Sequence, residues 1–428
     1  MTTQWKNWAR NVAFTPAERC MPRSVDEVVS AVSRAVGSGQ TVRVAGSGHS
    51  FTPAVQTNGV LLDVSKLSGI RQVDYERSLV VVGGGTLLSD LNEELARLGL
   101  ALPNLGDITA QTVAGSISTS THGTGARFLG LAAQVRALTI VDGFGQVKHV
   151  DSPEEVRAVA VNLGALGVVV EYTLEVVPAF RLQAEEAAMR VEDLVSGLAD
   201  MVDNADHFEF YWIPHTKWCL TKRNTRTQEP PEPLPRWRHI AEKTVLENVA
   251  FGAVCRLGSI MPSLIPRLAT ALPSSGSRSY RDQSHKVFAS TRLVKFKEME
   301  FALPQEAGVS ALNELRDMVA RNGHLVNFPV EVRFTKADAI SLSTSEGRDS
   351  CYIAVHMYRP MDHSRYFKDV QSIMVAHGGR PHWGKMHDLD HEHLETLYPR
   401  MGDFLRRRNE FDPQRTFTND YVRKVLGQ

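Results

Sequence analysis

Apolar positions recur with a helical period over residues 24–35, where Val25, Val28, Val29 and Val32 share one face. Ser24 is placed to cap that helix, and Asp26 and Glu27 suit the positive end of its dipole. Apolar, β-branched runs at 41–45, 59–64 and 78–82 predict strands, the last entering Gly83-Gly84-Gly85. Residues 87–98 read as a second helix, ended by Gly99. The runs 135–141 and 147–150 flank Gly143-Phe144-Gly145, a hairpin signal, and 168–177 predicts one more strand before Pro178. Helices and strands are thus mixed over residues 1–178, an α+β pattern.

From Phe180 the pattern changes. Residues 228–235, with four prolines, can continue neither a helix nor a central strand and predict a stiff, exposed connector. Helical periodicity returns over 239–272, interrupted by Pro262 and Pro266, and the small polar run 273–277 predicts a loop. Strands are expected at 328–334 and 351–358, and Asp390 is placed to cap a helix over 391–397. The tail 411–421 mixes aromatic anchors with polar groups and predicts an ordered segment.

Composition narrows the function classes. Lys plus Arg equals Asp plus Glu at 48 each, so no net field favours nucleic acid or an anionic membrane. Six Trp are too few for a single-strand stacking platform. Cys20, Cys219, Cys255 and Cys351 are scattered with no C-x-x-C, which predicts reduced thiols in a cytoplasmic setting. The start of the chain has no apolar core of a signal peptide, and no stretch approaches the ~20 apolar residues of a membrane span. A soluble protein is expected.

The chemistry begins at Val42-Arg43-Val44-Ala45-Gly46-Ser47-Gly48-His49-Ser50-Phe51. A strand ending in a Gly-x-Gly turn frees backbone N–H groups and lets them approach a phosphate. The alternative is an ordinary tight turn with a solvent-facing histidine. Pro103-Asn104-Leu105-Gly106-Asp107 and Ser118-Thr119-Ser120-Thr121-His122-Gly123-Thr124-Gly125 repeat the small-residue theme. The third glycine and acidic residue of a dinucleotide-binding Rossmann unit are missing, which argues against NAD. Glu331 and Arg333 alternate on an expected strand and so share a face. Buried unpaired they would be costly, so they form a structural ion pair, lie on a solvated face, or do chemistry. Lys385 follows Trp383-Gly384, a glycine that lets the chain turn the lysine inward. His387, His391 and His393 cluster without an H-E-x-x-H pattern, and no metal site is expected there.

In order along the chain stand Gly46-Ser47-Gly48-His49-Ser50-Phe51, Val81-Val82-Gly83-Gly84-Gly85, Leu102-Pro103-Asn104, Val113-Ala114-Gly115-Ser116, Thr121-His122-Gly123-Thr124-Gly125 and Leu163-Gly164-Ala165-Leu166-Gly167. Together they resemble the FAD domain of the vanillyl-alcohol oxidase superfamily. Pro329-Val330-Glu331-Val332-Arg333-Phe334, Arg348-Asp349-Ser350-Cys351-Tyr352 and Arg380-Pro381-His382-Trp383-Gly384-Lys385 extend the likeness to its aldonolactone and alditol oxidases. The resemblance covers nearly the whole chain. It implies a two-domain fold, with an FAD-binding domain at 1–178, a substrate or cap domain of mixed sheet and helix at 179–385, and a segment at 386–428 returning to the first.

The resemblance also assigns residues. It places Gly46, Ser47, Gly48, Ser50, Gly106, Asp107, Val113, Gly115, Ser116, Thr121, His122, Gly125, Val168 and Asn419 toward FAD, although some of these serve packing instead. His49 matches a histidine that often bonds covalently to the flavin 8α-methyl. Arg333 would sit by the flavin N1–C2=O locus, where its charge stabilises the reduced anion. Glu331 would orient Arg333 or bind a substrate hydroxyl. Lys385 would stabilise a developing alkoxide, or act as base if burial lowers its pKa. His356 would donate to substrate or be satisfied by a backbone carbonyl. Gly106 resembles the small residue of oxygen-permissive members, whereas Asp107 and Glu298 depart from the serine and glutamine of alditol oxidases.

The expected function is FAD-dependent oxidation of a sugar lactone, foremost L-gulono-1,4-lactone to ascorbate through the 2-keto lactone. Electrons would pass to O2, giving H2O2, or to another acceptor. The rivals are an alditol oxidase acting on xylitol or sorbitol, a dehydrogenase that ignores oxygen, and a flavin-binding protein without turnover.

Overall fold

A computed structural model describes residues 3–235, 237, 248–270, 276–290 and 292–428. The helix Val25–Gly37 forms as the apolar period requires, with the Ser24 side chain accepting from the Glu27 N–H at 3.2 Å and Val28, Ala31, Val32 and Ala35 buried. It covers a three-stranded parallel sheet in the order Glu18–Cys20, Val60–Asp63, Val42–Ala45. A five-stranded antiparallel sheet follows in the order Val147–Val150, Val135–Asp142, Gly167–Glu175, Leu79–Gly83, Ile70–Asp74. The expected strand at 168–177 is therefore split. After Glu175 the chain leaves the five-stranded sheet, and Val177–Pro178 pairs instead with Leu100–Ala101.

The second half is built on one eight-stranded antiparallel sheet. Its order is Ser277–Gln283, Arg181–Arg190, Trp218–Thr227, His207–Trp212, Val330–Thr335, Ser350–Tyr358, Phe296–Pro304, Arg380–Pro381. The expected strand at 328–334 begins two residues later, after Pro329, which lacks a ladder N–H. One face of this sheet packs on the helices Val191–Asp203, Gly308–Arg321 and Ser364–Ala376. The other face turns its polar side chains toward the turns of the first half.

Of the helical expectation at 239–272, the described part holds the helices Phe251–Ile260 and Ile265–Thr270, separated where Pro262 interrupts the ladder. Residues 239–247 and 271–275 lie outside the described residues, and with them most of the loop expected at 273–277. The helix His391–Leu397 starts at Asp390, whose side chain accepts from the His393 N–H. The C-terminal residues are tied to the first strands. Buried Arg43 donates to the carbonyls of Ala54 at 2.7 Å, Leu163 at 2.6 Å, Gly164 at 2.9 Å and Phe417 at 2.9 Å.

The four cysteines are unpaired, and burial pushes the thiols of Cys219, Cys255 and Cys351 up to about 12. Among the described residues no helix is long and apolar enough to cross a membrane.

Candidate active site

The strand Val42–Ala45 delivers a turn at Gly46–Ser50 that fits a diphosphate. Among the described residues the backbone N–H groups of Ser47, Gly48, His49 and Ser50 have no acceptor. Gly48 has φ +74°, and a Cβ on Gly46 would lie 2.3 Å from Thr112 Oγ1. That hydroxyl caps the short helix Val113–Ser118, so Gly46 is glycine because the turn touches the helix start. A Cβ on Gly84 would likewise lie 2.6 Å from the Val169 carbonyl oxygen. Unpaired amides on a glycine turn suit the diphosphate of FAD, so the residues present fit that cofactor.

The other residues expected to face FAD divide by what their side chains do. The Val113 side chain is buried, and Ser116 Oγ is engaged by the Val113 carbonyl at 2.9 Å. Val168 packs in the core with Val42, Leu62 and Phe417. Asn419 donates to the carbonyls of Pro53, Ala54 and Gln56 and caps the last helix. These side chains hold the loops around the turn, and the N–H groups of Val113 and Ser116 are taken by the carbonyls of Thr86 and Thr112, so the expectation that Val113, Ser116, Val168 and Asn419 face FAD gives way to packing and loop support. Gly115 donates to Thr112 Oγ1, Thr121 Oγ1 accepts from Gln111, and the Gly125 N–H meets the Phe334 carbonyl of the large sheet at 2.7 Å.

His49 stacks on Trp8, ring centroids 5.6 Å apart. Burial first, then the charges of Lys385 and Lys295, pull its imidazole down to about 4, so it is neutral at pH 7.

The large sheet supplies the charged face. Register places Glu209 opposite Arg333 and Arg333 opposite Tyr352. It likewise aligns Tyr211, Glu331, Ala354 and Glu300 across four strands, and Glu298 opposite His356. With a side-chain period of two, all of these point to one face. Glu331 and Arg333 are therefore an ion pair, and they do not stand alone. Arg333 is also held by Glu209 at 2.8 Å and by Asp107 at 3.1 Å, and Asp107 takes Arg292 at 3.1 Å. Lys222 lies 3.5 Å from Glu209.

Burial opposes every charge in this group, but the guanidiniums outweigh it for Asp107 and Glu209, whose carboxyls stay below the ordinary range. Glu331 is the exception. Burial, with Asp107 and Glu209 beside it, outweighs Arg333 and pushes its carboxyl up to about 7.

Lys385 Nζ lies 2.6 Å from Glu298 and over the Phe51 ring. Burial works against the ammonium, yet Glu298 and Glu300 prevail and raise its pKa. The condition on which Lys385 would act as base, a pKa lowered by burial, is not met, because two carboxylates favour the ammonium, and the alkoxide-stabilising alternative stands. Gly384 serves close approach, its N–H on His382 Nδ1 at 3.0 Å and its carbonyl accepting the Phe51 N–H at 2.7 Å. His356 Nδ1 donates to the Pro329 carbonyl at 3.1 Å while Nε2 faces Glu298 at 3.5 Å. Of the two expectations for His356, the structure shows the backbone carbonyl partner, with Glu298 as a second neighbour.

His387, His391 and His393 are not gathered: His387 pairs with the Tyr421 hydroxyl, and His393 with Asp390. Among the described residues the ligand-type trio is His122, Glu300 and His382. His382 Nδ1 accepts an N–H, so the proton of the neutral ring sits on Nε2. His122 Nδ1 donates to the Gly123 carbonyl, and its Nε2 meets Glu300 at 3.3 Å. The Nε2 proton of His382 leaves that ring no lone pair for a metal, and the polar side-chain contact within the trio is that of His122 with Glu300.

Sequence reasoning missed Glu209, Arg292, Glu300 and His382. The available signal was a charge inside an aromatic or apolar strand, as in Phe208-Glu209-Phe210 and Met299-Glu300-Phe301.

Comparison with known proteins agrees with this geometry. Residues 16–151 match the family model described as an FAD binding domain, and residues 172–425 match that of D-arabinono-1,4-lactone oxidase. The chain is 39% identical to L-gulono-1,4-lactone dehydrogenase of Mycobacterium tuberculosis over 428 residues, all of both chains. It is 34% identical to L-gulonolactone oxidase of Scyliorhinus torazame, across 100% of this chain and 99% of that one. The fold superposes on cholesterol oxidase from B. sterolicum with a TM-score of 0.83 at 16% identity, covering 100% and 97% of the two chains.

Proposed function

Because the chain belongs to the D-arabinono-1,4-lactone oxidase family of FAD-dependent oxidoreductases, we propose that it oxidises the C2 hydroxyl of L-gulono-1,4-lactone. The 2-keto lactone so formed tautomerises to ascorbate. One observation carries the reading. Arg333 is held cationic on the sheet face, Lys385 is held cationic by Glu298 of that face from the turn after Arg380–Pro381, and Glu331 is the carboxyl that changes charge near neutral pH.

FAD would supply the acceptor for the C2 hydride, with the electrons going on to O2, giving H2O2, or to another acceptor. The free amides of the turn at Gly46–Ser50 would hold its diphosphate, the segment from Val113 to Gly125 would flank it, and the neutral His49 would be its covalent anchor. Lys385 Nζ donates to the reacting hydroxyl oxygen and stabilises its developing charge. The hydroxyl proton passes to a Glu331 carboxylate oxygen, matched to the task by a pKa near the working pH. Arg333 fixes Glu331 and adds positive charge, and His356, held by the Pro329 carbonyl, steadies Glu298 and through it Lys385. The chain works in the cytoplasm.

The test is anaerobic. Purified holoprotein is mixed with L-gulono-1,4-lactone or xylitol, and the visible flavin band is followed. Bleaching by the lactone alone is expected, and air then separates oxidase from dehydrogenase. Bleaching by xylitol alone would replace the reading with alditol oxidation, and bleaching by neither would leave a flavin protein without this substrate.

A further inference from the structure

Asp107 has no part in the reaction above, yet it is among the most constrained carboxylates of the site. Its Oδ1 lies 3.1 Å from Arg333 Nη2, and its Oδ2 lies 3.1 Å from Arg292 Nη2 and 3.2 Å from Ser290 Oγ. Its backbone carbonyl accepts the Ser290 N–H at 2.9 Å. Two guanidiniums converging on one carboxylate is the arrangement by which proteins capture a ligand's carboxylate. Here the chain fills that position itself.

Location and charge balance give the arrangement a purpose. The Arg292 side chain is 36% exposed and the Arg333 side chain 9%, so Asp107 bridges a cation at the rim to one inside. Arg333 also meets Glu209 and Glu331, and Lys222 meets Glu209. Asp107, Glu209 and Glu331 thus stand against Arg333, Arg292 and Lys222, with Tyr211 and Lys385 as further titratable neighbours, the latter taken by Glu298 at 2.6 Å. No cation in this group is left for an incoming anion.

A 1,4-lactone hydrolyses to an open-chain aldonate that keeps the lactone's hydroxyls, gains the one freed at C4, and carries an ionised carboxylate. Shape separates the two weakly, whereas charge separates them well, because a second carboxylate beside Asp107 is repelled and finds no free guanidinium. We propose that Asp107 is a specificity-determining residue that occupies the anion position between Arg333 and Arg292, so that the site admits the uncharged lactone and refuses its aldonate. This rests on the lactone reading above.

The test uses holoenzyme, with L-gulonate and the uncharged L-gulonamide titrated by calorimetry and by the flavin difference spectrum. Wild type is expected to bind the amide at least tenfold more tightly than the anion. Asp107→Asn, similar in shape but neutral, is expected to gain tenfold or more in L-gulonate affinity, and Asp107→Asn/Arg292→Gln to lose that gain. The variant also removes a charge that raises the Glu331 pKa, so the pH limb of flavin reduction moves to lower pH, which a packing role would not produce. Equal binding of anion and amide by wild type overturns the proposal even if the variants do not fold. A gain in Asp107→Asn that survives the loss of Arg292 overturns it as well. Failure of the lactone reading would show separately, as no bleaching of wild type by lactone.

Discussion

Glu331→Gln isolates the group whose charge is least settled at neutral pH. The Glu331 side chain is 9% exposed, and its carboxyl is raised from 4.5 to about 7, by burial first and then by Asp107 and Glu209. A carboxyl raised on folding favours the native state fully below its unfolded pKa of about 4.5, and that contribution is lost as pH rises through about 7. Between those limits the loss is about 1.4 kcal/mol per pH unit, which sums to roughly 3 kcal/mol. Asp107, Glu209 and Glu298 are shifted the other way and stabilise the fold as pH rises. They are present in both proteins, so the difference between wild type and Glu331→Gln reports mainly Glu331. Urea unfolding at pH 5, 6, 7 and 8 should show wild type losing about 2.5 kcal/mol relative to the variant across that range. In the same series the lactone-reduction rate of wild type should rise through pH 7, and the variant should lack that limb. Parallel stability curves would mean that Glu331 is already ionised at pH 5, and would refute both its raised pKa and its assignment to the rate limb.

Lys385→Met should slow anaerobic flavin reduction by about a hundredfold or more, the usual size for losing one charge-stabilising donor, with stopped-flow bleaching as the check. Glu298→Gln breaks the 2.6 Å pair and leaves buried Lys385 without its nearest carboxylate, which should cost about 3 kcal/mol or more in unfolding free energy. Adding Lys385→Met should recover part of that loss, a coupling that a double-substitution cycle measures. His49 is neutral at pH 7 with a lone pair available, so acid-precipitated wild type should keep its yellow colour and His49→Ala should release it. Flavin in the wild-type supernatant would refute the covalent link.

The flavin half was legible because its signals are local. The glycine turn after Val42–Ala45 and the capped helix before it are set by neighbours a few residues away. The sheet half was less legible. The strand Arg181–Arg190 reads Arg-Leu-Gln-Ala-Glu-Glu-Ala-Ala-Met-Arg, an alanine- and glutamate-rich run that favours helix, and it is a strand because it is paired on both sides. Pairing of that kind overrides propensity and leaves no mark in the segment itself.

The same holds for the charged face. Glu331 and Arg333 were visible as two charges alternating on an apolar strand, but their partners come from far along the chain. Glu209 reaches Arg333 from 124 residues away, and Arg292 reaches Asp107 from 185. Each of Glu209, Glu298 and Glu300 shows the same local sign, a carboxylate inside a strand that is otherwise apolar or aromatic. A buried charge must find an opposite charge or lose its ionisation. Carboxylates at 107, 209, 298, 300 and 331 therefore called for cations at similar depth. Arg333, Arg292, Lys222 and Lys385 answer that demand with His122 beside Glu300, and strand register decides which cation meets which acid. The charges that no strand could bury alone are those that the site holds in common.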